Sequence, residues 1–212
     1  MIKTSSILLC LLISISSCSS MSKVISDEQS TDVDLYQAVR FNDIEAFDLA
    51  LAEGGDPNRI FGRNSEDWVM CYVTMEGKEN FLRKLIASGG DVDLWNVDVN
   101  PLSTRPLTCS MLHGNIRAYE ILKEAGADLE APLCSSCAGI SEQSIFAVAL
   151  GSGNFDIAVD MIDHITLTAD DIDWLYWTVA EFPMLRNETT ESYMDVFVKK
   201  LADYGIEAEP RW

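Results

Sequence analysis

Apolar and small residues recur along the chain with the period of an α-helix, in pairs of short segments separated by polar turns. In the first segment of each pair they lie at i, i+3 and i+4, the stripe that a helix presents to a core. These positions are Leu35, Ala38 and Val39; Met70, Val73 and Thr74; Leu107, Ser110 and Met111; and Phe146, Ala149 and Leu150. The pattern predicts four short helices whose small residues allow neighbouring helices to approach closely.

A second apolar segment follows each of these four and begins four residues after the turn. Its apolar positions have the same helical spacing but carry bulkier side chains, which suit an outer layer. They are Ala46, Phe47, Ala50 and Leu51; Phe81, Leu82, Leu85 and Ile86; Ala118, Tyr119 and Leu122; and Ile157, Ala158, Met161 and Ile162. The sequence therefore predicts four helix–turn–helix pairs.

Glycine and asparagine keep these pairs in one register. The turn inside each pair falls seven residues after its first apolar position, at Asn42, Gly77, Gly114 and Gly153. The first three pairs end at Gly54, Gly89 and Gly126, which are 35 and 37 residues apart. Glycine and asparagine adopt the left-handed conformation at low cost, as the C-terminus of a helix requires. Four matches in one frame indicate an internal repeat.

The ends of the first three pairs resemble the end of an ankyrin repeat, Gly-Ala-Asp-x-Asn, which precedes an extended finger. They read Gly54-Gly55-Asp56-Pro57-Asn58, Gly89-Gly90-Asp91-Val92-Asp93 and Gly126-Ala127-Asp128-Leu129-Glu130. Arg105-Pro106-Leu107-Thr108 is similar to the family's Thr-Pro-Leu-His start, although no pair contains that tetrapeptide itself. The spacings also exceed the usual period of about 33 residues, which predicts long fingers.

This resemblance implies an all-α fold, an ankyrin-type helix–turn–helix repeat solenoid with four repeats over residues 32–163. Ankyrin solenoids bind proteins through their finger tips and the concave face of their first helices. They have no catalytic machinery of their own. The resemblance therefore favours a binding module over an enzyme.

Residues 164–212 fit a fifth, divergent repeat that caps the solenoid. We expect a helix over residues 170–180 that carries Trp174 and Trp177, a stop at Phe182-Pro183, a polar loop over residues 186–190 and a second helix over residues 192–203. A terminal repeat covers an exposed apolar face, so an atypical sequence is expected there. Two interpretations stay open: the Trp-rich helix only caps the solenoid, or it also belongs to a binding surface.

The N-terminal residues read as a targeting signal. Lys3 precedes an apolar segment over residues 7–15, which is too short for a membrane span of about 20 residues. Ile15-Ser16-Ser17-Cys18 resembles the bacterial lipobox. The resemblance implies a signal peptide over residues 1–17 and acylation of Cys18, since several acyl chains hold a protein at a membrane. The alternatives are an ordinary signal peptide that is cut elsewhere and a failed cleavage.

Residues 18–31 then form a flexible, serine-rich tether behind the lipidated cysteine. Ser19 and Ser20 stand where an aspartate would signal retention in the inner membrane. We therefore expect an outer-membrane lipoprotein that faces the periplasm.

The charge balance narrows the choice of partner. The chain has 15 basic and 34 acidic residues, and removal of the signal peptide takes away Lys3 and no acid. Such a chain is repelled by nucleic acid and by anionic lipid surfaces. A protein partner with a basic face fits it best. The alternative is that the acidic residues serve solubility alone.

Four cysteines raise the question of disulfides or metal. Cys134-Ser135-Ser136-Cys137 lies in the long finger between the third and fourth pairs, without a second CxxC or a histidine pair for zinc. A local disulfide is the leading interpretation in an oxidising compartment, with free thiols as the alternative. Cys71 and Cys109 fall on the first helices of adjacent pairs, where they are either small buried residues or a bridge between repeats.

Asp91, Asp93, Trp95 and Asp98 make one finger a candidate partner-binding site, because alternating acids around a tryptophan suit an exposed ridge. The alternative is that Trp95 packs on the neighbouring finger. A calcium loop is not expected, since Trp95 and Asn96 occupy the positions that need an oxygen ligand and a glycine.

His113 and His164, the two histidines, have no catalytic spacing to a nucleophile. We predict no catalytic residue, metal or cofactor.

A membrane-anchored, acidic, ankyrin-type binding module in the periplasm resembles the immunity lipoproteins that are paired with type VI secretion phospholipase effectors. The leading hypothesis is therefore an immunity protein that neutralises an antibacterial toxin. The alternative is an envelope scaffold or assembly protein that binds another periplasmic partner.

Overall fold

The computed structural model describes residues 34–60, 68–94, 105–131, 144–182 and 187–211. These residues are all-α: they contain no strand, and one isolated antiparallel bridge joins Ile60 to Trp68. None of their helices is both long enough and apolar enough to cross a bilayer. The chain divides into two compact units, one ending at Arg59 and one beginning at Ile60, which are described separately.

The helices have the following bounds. The first unit contains α1 (residues 34–40) and α2 (Ile44–Ala52). The second contains α3 (Val69–Met75), α4 (Glu79–Ala87), α5 (Pro106–Leu112), α6 (Ile116–Glu124), α7 (Ile145–Gly151), α8 (Phe155–Met161), α9 (Ala169–Ala180) and α10 (Glu188–Asp203). The eight helices expected from the repeat pattern are all present, and so are the two of the C-terminal segment.

In the first unit, Leu35 and Phe47 are fully buried, as predicted. Asp43 caps α2, because its Oδ1 accepts the backbone N–H of Ala46 at 3.0 Å. The prediction that Ala46 lies on the apolar stripe is wrong, since Ala46 is exposed. It borders an open surface cavity together with Leu49, so this side of α2 is not part of the core.

In the second unit the helices pack in two rows. The first helices of successive pairs pack on one another, α3 on α5, α5 on α7 and α7 on α9. The second helices do the same, α4 on α6, α6 on α8 and α8 on α10, and each pair is closed by contact between its own two helices. The core therefore runs continuously between the rows.

The predicted core positions of α3, α5 and α7 are confirmed, because all of them are at most 3% exposed. They are Met70, Val73, Thr74, Leu107, Ser110, Met111, Phe146, Ala149 and Leu150. Two polar residues fit among them because their hydroxyls bond within their own helix. Thr74 Oγ1 donates to Met70 O at 2.7 Å, and Ser110 Oγ donates to Leu107 O at 2.6 Å.

The turn register is confirmed as well. The backbone is left-handed at all four predicted turn positions: φ is 58° at Asn42, 62° at Gly77, 64° at Gly114 and 74° at Gly153. Gly114 has a second reason to lack a side chain. A Cβ atom there would lie 2.7 Å from Oδ1 of Asn154, which belongs to the next pair.

In two pairs of the second unit, the asparagine that follows the turn glycine joins its pair to the preceding one. Asn115 Nδ2 donates to the carbonyls of Thr74, at 3.0 Å, and Met75. Asn154 Nδ2 donates to the carbonyl of Met111 in the same way. The last carbonyls of a helix have no partner within it. These amides therefore supply the C-terminal caps of α3 and α5 from the next pair along the chain.

The C-terminal pair follows the prediction with one correction. The expected polar loop extends to residue 190, but α10 already begins at Glu188. The cause is a capping box: the Asn187 side chain accepts the N–H groups of Thr189 and Thr190, and Thr190 Oγ1 accepts the N–H of Asn187. This cap nucleates the helix one turn earlier than the apolar pattern alone indicates.

Cys71 on α3 and Cys109 on α5 form a disulfide, with their Cα atoms 5.7 Å apart. Both are buried. Of the two interpretations left open by the sequence, the bridge between adjacent pairs is the one that the structure shows. The bond joins neighbouring first helices where they pack together.

Candidate functional site

Most of the predicted site residues lie outside the described part of the chain. This holds for the lipidation site Cys18, for the candidate disulfide Cys134 and Cys137, and for Trp95 and Asp98 of the finger. Their roles therefore remain predictions. The structure does describe Asp91 and Asp93, the other two acids of that finger.

Asp91 and Asp93 are brought together by a tight turn that follows α4. Asp91 Oδ1 accepts the N–H of Asp93 at 2.9 Å. The Asp93 carboxylate in turn accepts the N–H of Asp128 at 3.0 and 3.2 Å, and its backbone carbonyl accepts Nη1 of Arg105 at 3.0 Å. Asp91 is exposed, whereas Asp93 is only partly exposed. Asp93 thus links its finger to the next one.

The same bond recurs one pair later. Asp128 Oδ1 accepts the N–H of Glu130 at 3.0 Å, and Glu130 Oε1 accepts the N–H of Thr166 at 2.6 Å. Asp93 and Glu130 occupy the same position, two residues after the aspartate that ends their pair. Each accepts a hydrogen bond from the backbone of the following pair. Part of the chain's acidity therefore serves the stacking of pairs.

Tyr119, Lys123 and Asp160 form a hydrogen-bonded cluster of three titratable side chains. Tyr119 Oη donates to Asp160 Oδ2 at 2.6 Å, and Lys123 Nζ donates to the same oxygen at 2.5 Å. Burial raises the pKa of Tyr119 far above its ordinary value, and the bond to Asp160 raises it further. Burial also raises the pKa of Asp160, but the bonds from Lys123 and Tyr119 outweigh it and hold the pKa below its ordinary value.

Such a phenol is a poor general base, because its proton is held more firmly than that of a free tyrosine. The cluster joins α6 to α8 and is best understood as a link between second helices. Its geometry gives no reason to assign it a catalytic role.

We expect this cluster to make stability depend on pH. Because the pKa of Asp160 is lower in the folded state than in the unfolded state, its contribution is present at neutral pH and is lost as the pH falls below about 4. Asp160→Asn should lower the free energy of unfolding by about 1 kcal/mol at pH 7, since the pair is partly exposed, and by less in acid. Urea titrations at pH 7 and below about pH 4 measure this difference in the free energy of unfolding. Asp195→Asn, an exposed acid of α10, is the control; an equal loss in both variants would remove the role from Asp160.

The second candidate is an aromatic surface on α9. Trp177 is 43% exposed and Trp174 is partly exposed. The two are one helical turn apart, so they share a face. Their ring centroids lie 5.7 Å apart with the planes at 79°. Phe182, just after the helix, contacts Trp177 with centroids 5.4 Å apart.

A cavity of about 270 Å³ opens beside these rings, lined by Asp173, Trp174 and Trp177. Trp174 borders the end of α7, because a side chain at Gly151 would lie 3.6 Å from its ring. We name this cavity and its three lining residues the Trp174–Trp177 cleft. It combines exposed aromatic surface with one carboxylate.

The opposite side of α9 is fixed to the core. Leu175 and Val179 are fully buried. The buried Asp171 accepts the N–H and Oγ1–H of Thr168, at 2.9 and 2.7 Å, and the hydroxyl of Ser144, which caps α7. A helix held at its N-terminus and along one face presents its other face as a rigid surface. Rigid aromatic side chains on such a surface are common anchors of protein interfaces.

The described residues contain no group of three or more histidine, cysteine or acidic side chains placed to hold a metal ion. His113 is exposed at the C-terminal end of α5, and Ser152 follows α7 just before the turn at Gly153.

The sequence leaves two interpretations of the Trp-rich helix open, a cap alone or a cap that is also a binding surface. The structure shows that α9 has a buried face and an exposed aromatic face.

No protein-family model matches this sequence, and no curated protein is significantly similar to it.

Proposed function

We propose that the helix pairs form an ankyrin-type repeat solenoid of about five repeats, the last of which is a divergent cap that also binds. Three features of the second unit support this arrangement. Its pairs pack in sequence order, its turns are left-handed at the expected positions, and its fingers bond to one another through Asp93 and Glu130. The function that fits this arrangement is protein binding without catalysis.

The observation that carries the binding proposal is the Trp174–Trp177 cleft. Large aromatic side chains are costly to leave in water, and tryptophan is enriched among the residues that dominate protein interfaces. Trp177 is exposed although Leu175 and Val179 beside it are buried. A capping function alone accounts for the two buried residues but not for the tryptophan.

The proposed location is the periplasmic side of the outer membrane, with Cys18 acylated. The lipobox-like Ile15-Ser16-Ser17-Cys18 supports the anchor. The disulfide between Cys71 and Cys109 supports an oxidising compartment, where such bonds persist. The anchor would keep the protein next to the substrate of a membrane-active toxin.

The proposed role is that of an immunity protein that neutralises a toxin delivered into the periplasm, a type VI secretion phospholipase being the best match. The excess of acidic over basic residues favours a toxin with a basic face, because opposite charges accelerate capture. No cofactor is needed, since inhibition requires only that the toxin's surface is covered.

Co-expression tests this role. The proteins encoded by the genes adjacent to this gene are expressed with a periplasmic signal in cells that carry or lack the protein. We expect the full chain to restore growth against one of them and to be recovered bound to that toxin from envelope extract. The Cys18→Ser variant, which removes the acylation site, should protect less. Equal growth with and without the protein, for every neighbouring gene product, would reject immunity. Recovery of another envelope protein instead would favour the scaffold alternative.

The finger acids provide a separate prediction for the same complex. Asp91→Asn and Asp98→Asn remove charge from the predicted binding finger, and the amide oxygen introduced at position 91 can still accept the turn hydrogen bond. We expect slower association and a weaker salt dependence in stopped-flow or surface-binding measurements. Asp93→Asn should instead lower stability, because Asp93 holds the N–H of Asp128. Unchanged association in the first two variants would remove the finger from the interface.

A further inference from the structure

The exposed face of α9 contains an arrangement that selects for one kind of ligand. Trp174 and Trp177 lie at nearly right angles, with their centroids 5.7 Å apart, so the edge of one ring packs against the other ring, and both rings border the cavity that Asp173 also lines. Phe182 contacts the Trp177 ring and supports its position. The two rings therefore make the aromatic lining of the Trp174–Trp177 cleft.

Asp173 supplies the charge of the cleft. It is exposed, it lines the cavity, and no lysine or arginine in the described ranges forms an ion pair with it. Asp170, also exposed, lies one helical turn before it. Two cations of the C-terminal segment are committed elsewhere: Lys200 pairs with Asp163, and Arg211 pairs with Glu181. The cleft is therefore negatively charged as well as aromatic.

Each class of occupant can be weighed against this chemistry. An apolar side chain would cover the rings but would also desolvate the Asp173 carboxylate without pairing it, which is unfavourable. An anion would be repelled by Asp173. A cation is attracted both by the carboxylate and by the negative faces of the indole rings. The volume of about 270 Å³ suits one side chain better than a drug-sized molecule.

We propose that the Trp174–Trp177 cleft is the specificity pocket for an arginine side chain on the basic face of the protein partner. Arginine fits better than lysine, because the guanidinium is planar, is more weakly hydrated than an ammonium and stacks on aromatic rings. The proposal rests on the proposed function, and it adds the position on the surface and the residue type that the cleft recognises.

The test uses the full folded chain and a small probe, so that it does not depend on an identified partner. N-acetyl-arginine methylamide is titrated into ¹⁵N-labelled protein up to about 50 mM, and the tryptophan indole N–H signals are followed by NMR. Trp174→Phe and Trp177→Phe assign the two signals. We expect both to shift in a saturable manner. N-acetyl-citrulline methylamide, which has nearly the same shape without the charge, should cause little shift.

Matched variants separate the cleft from the rest of the surface. Asp173→Asn should weaken binding of the arginine probe about two- to five-fold, and Trp177→Ala at least as much. Tyr176→Ala removes an aromatic side chain of similar exposure, 41%, on the same helix. Asp195→Asn removes an exposed acid from α10. Both controls should bind the probe like the unaltered protein.

Three results would overturn the proposal: no shift of either indole signal, equal shifts with the citrulline probe, or equal losses in the control variants. The probe also distinguishes the proposal from the proposed function. If the chain protects cells and captures a toxin but does not bind the arginine probe, the cleft assignment fails and the immunity role stands. If the chain binds the probe but captures no toxin, the cleft assignment stands and the immunity role fails.

Discussion

Leu107→Asp is expected to lower the free energy of unfolding by more than about 5 kcal/mol, which is enough to unfold a protein of ordinary stability. Leu107 is fully buried on α5, and α5 packs between α3 and α7. The substitution removes a large apolar side chain from this contact and leaves a carboxylate there without a partner. Both effects act in the same direction, because the lost packing and the buried charge each favour the unfolded state.

Leu112→Asp is the matched control, since it makes the same exchange on the same helix at a residue that is 40% exposed. It should change the free energy of unfolding by less than about 1 kcal/mol. Far-UV circular dichroism during urea titration measures both variants. A Leu107→Asp protein that retains the helical signal and the midpoint of the unaltered protein would contradict the burial of α5 between its neighbours.

The sequence predicted this core because the determining pattern is local. Apolar spacing at i, i+3 and i+4 reports the buried face of a helix without any knowledge of its partner. Met70, Leu107 and Phe146 are therefore identifiable from their own neighbours in sequence, and all three are fully buried. The repeat also predicted where each helix begins and ends, because the turn residues recur at the same position in every pair.

Features that depend on the neighbouring pair were not predictable in this way. Asn115 caps α3, and Asn154 caps α5, through carbonyl groups 41 and 43 residues earlier in the chain. Tyr119 and Asp160 are likewise 41 residues apart. An asparagine or aspartate at such a position looks like an ordinary polar residue of a turn, and only the packing of pairs shows its partner.

Ala46 and the start of α10 depart from the prediction for different reasons. Ala46 has the spacing of a core residue, but α2 leaves that side uncovered within its own unit. The apolar pattern of α10 begins late, whereas its Asn187 cap starts the helix earlier. The capping box over residues 187–190 is readable in the sequence but is outweighed there by the polar character of the segment.

The sequence predicted the candidate site only as one of two alternatives. The sequence marks Trp174 and Trp177 as capping or binding residues without saying which, because both tryptophan and the neighbouring Leu175 are apolar. In the structure, Leu175 and Val179 are four residues apart and face the core, whereas Trp174 and Trp177 share the adjacent face, which supports the proposed binding role. The role proposed for Asp173 rests on its place beside them.

Reduction of the disulfide between Cys71 and Cys109 is expected to lower the free energy of unfolding by about 3–4 kcal/mol. The two cysteines are 38 residues apart, and closing a loop of that length restricts the unfolded chain more than the folded one. The measurement is urea unfolding with and without reductant. Cys71→Ala/Cys109→Ala should unfold early under both conditions, whereas Cys134→Ala/Cys137→Ala should remain as sensitive to reductant as the unaltered protein. Peptide mapping under non-reducing conditions that found Cys71 and Cys109 as free thiols would refute the assignment.

Reduction should leave the Trp174–Trp177 cleft intact in molecules that stay folded. The disulfide joins α3 to α5, whereas α9 packs chiefly on α7 and α10, so α7 stands between the bond and the cleft. In an array whose elements contact mainly their neighbours, a local loss of stability is not transmitted as a change of shape further along. Binding of the arginine probe by reduced, folded protein should therefore match that of the oxidised protein. A weaker affinity at full helical signal would mean that the first helices move as one body and that the bond between Cys71 and Cys109 controls the binding surface as well as stability.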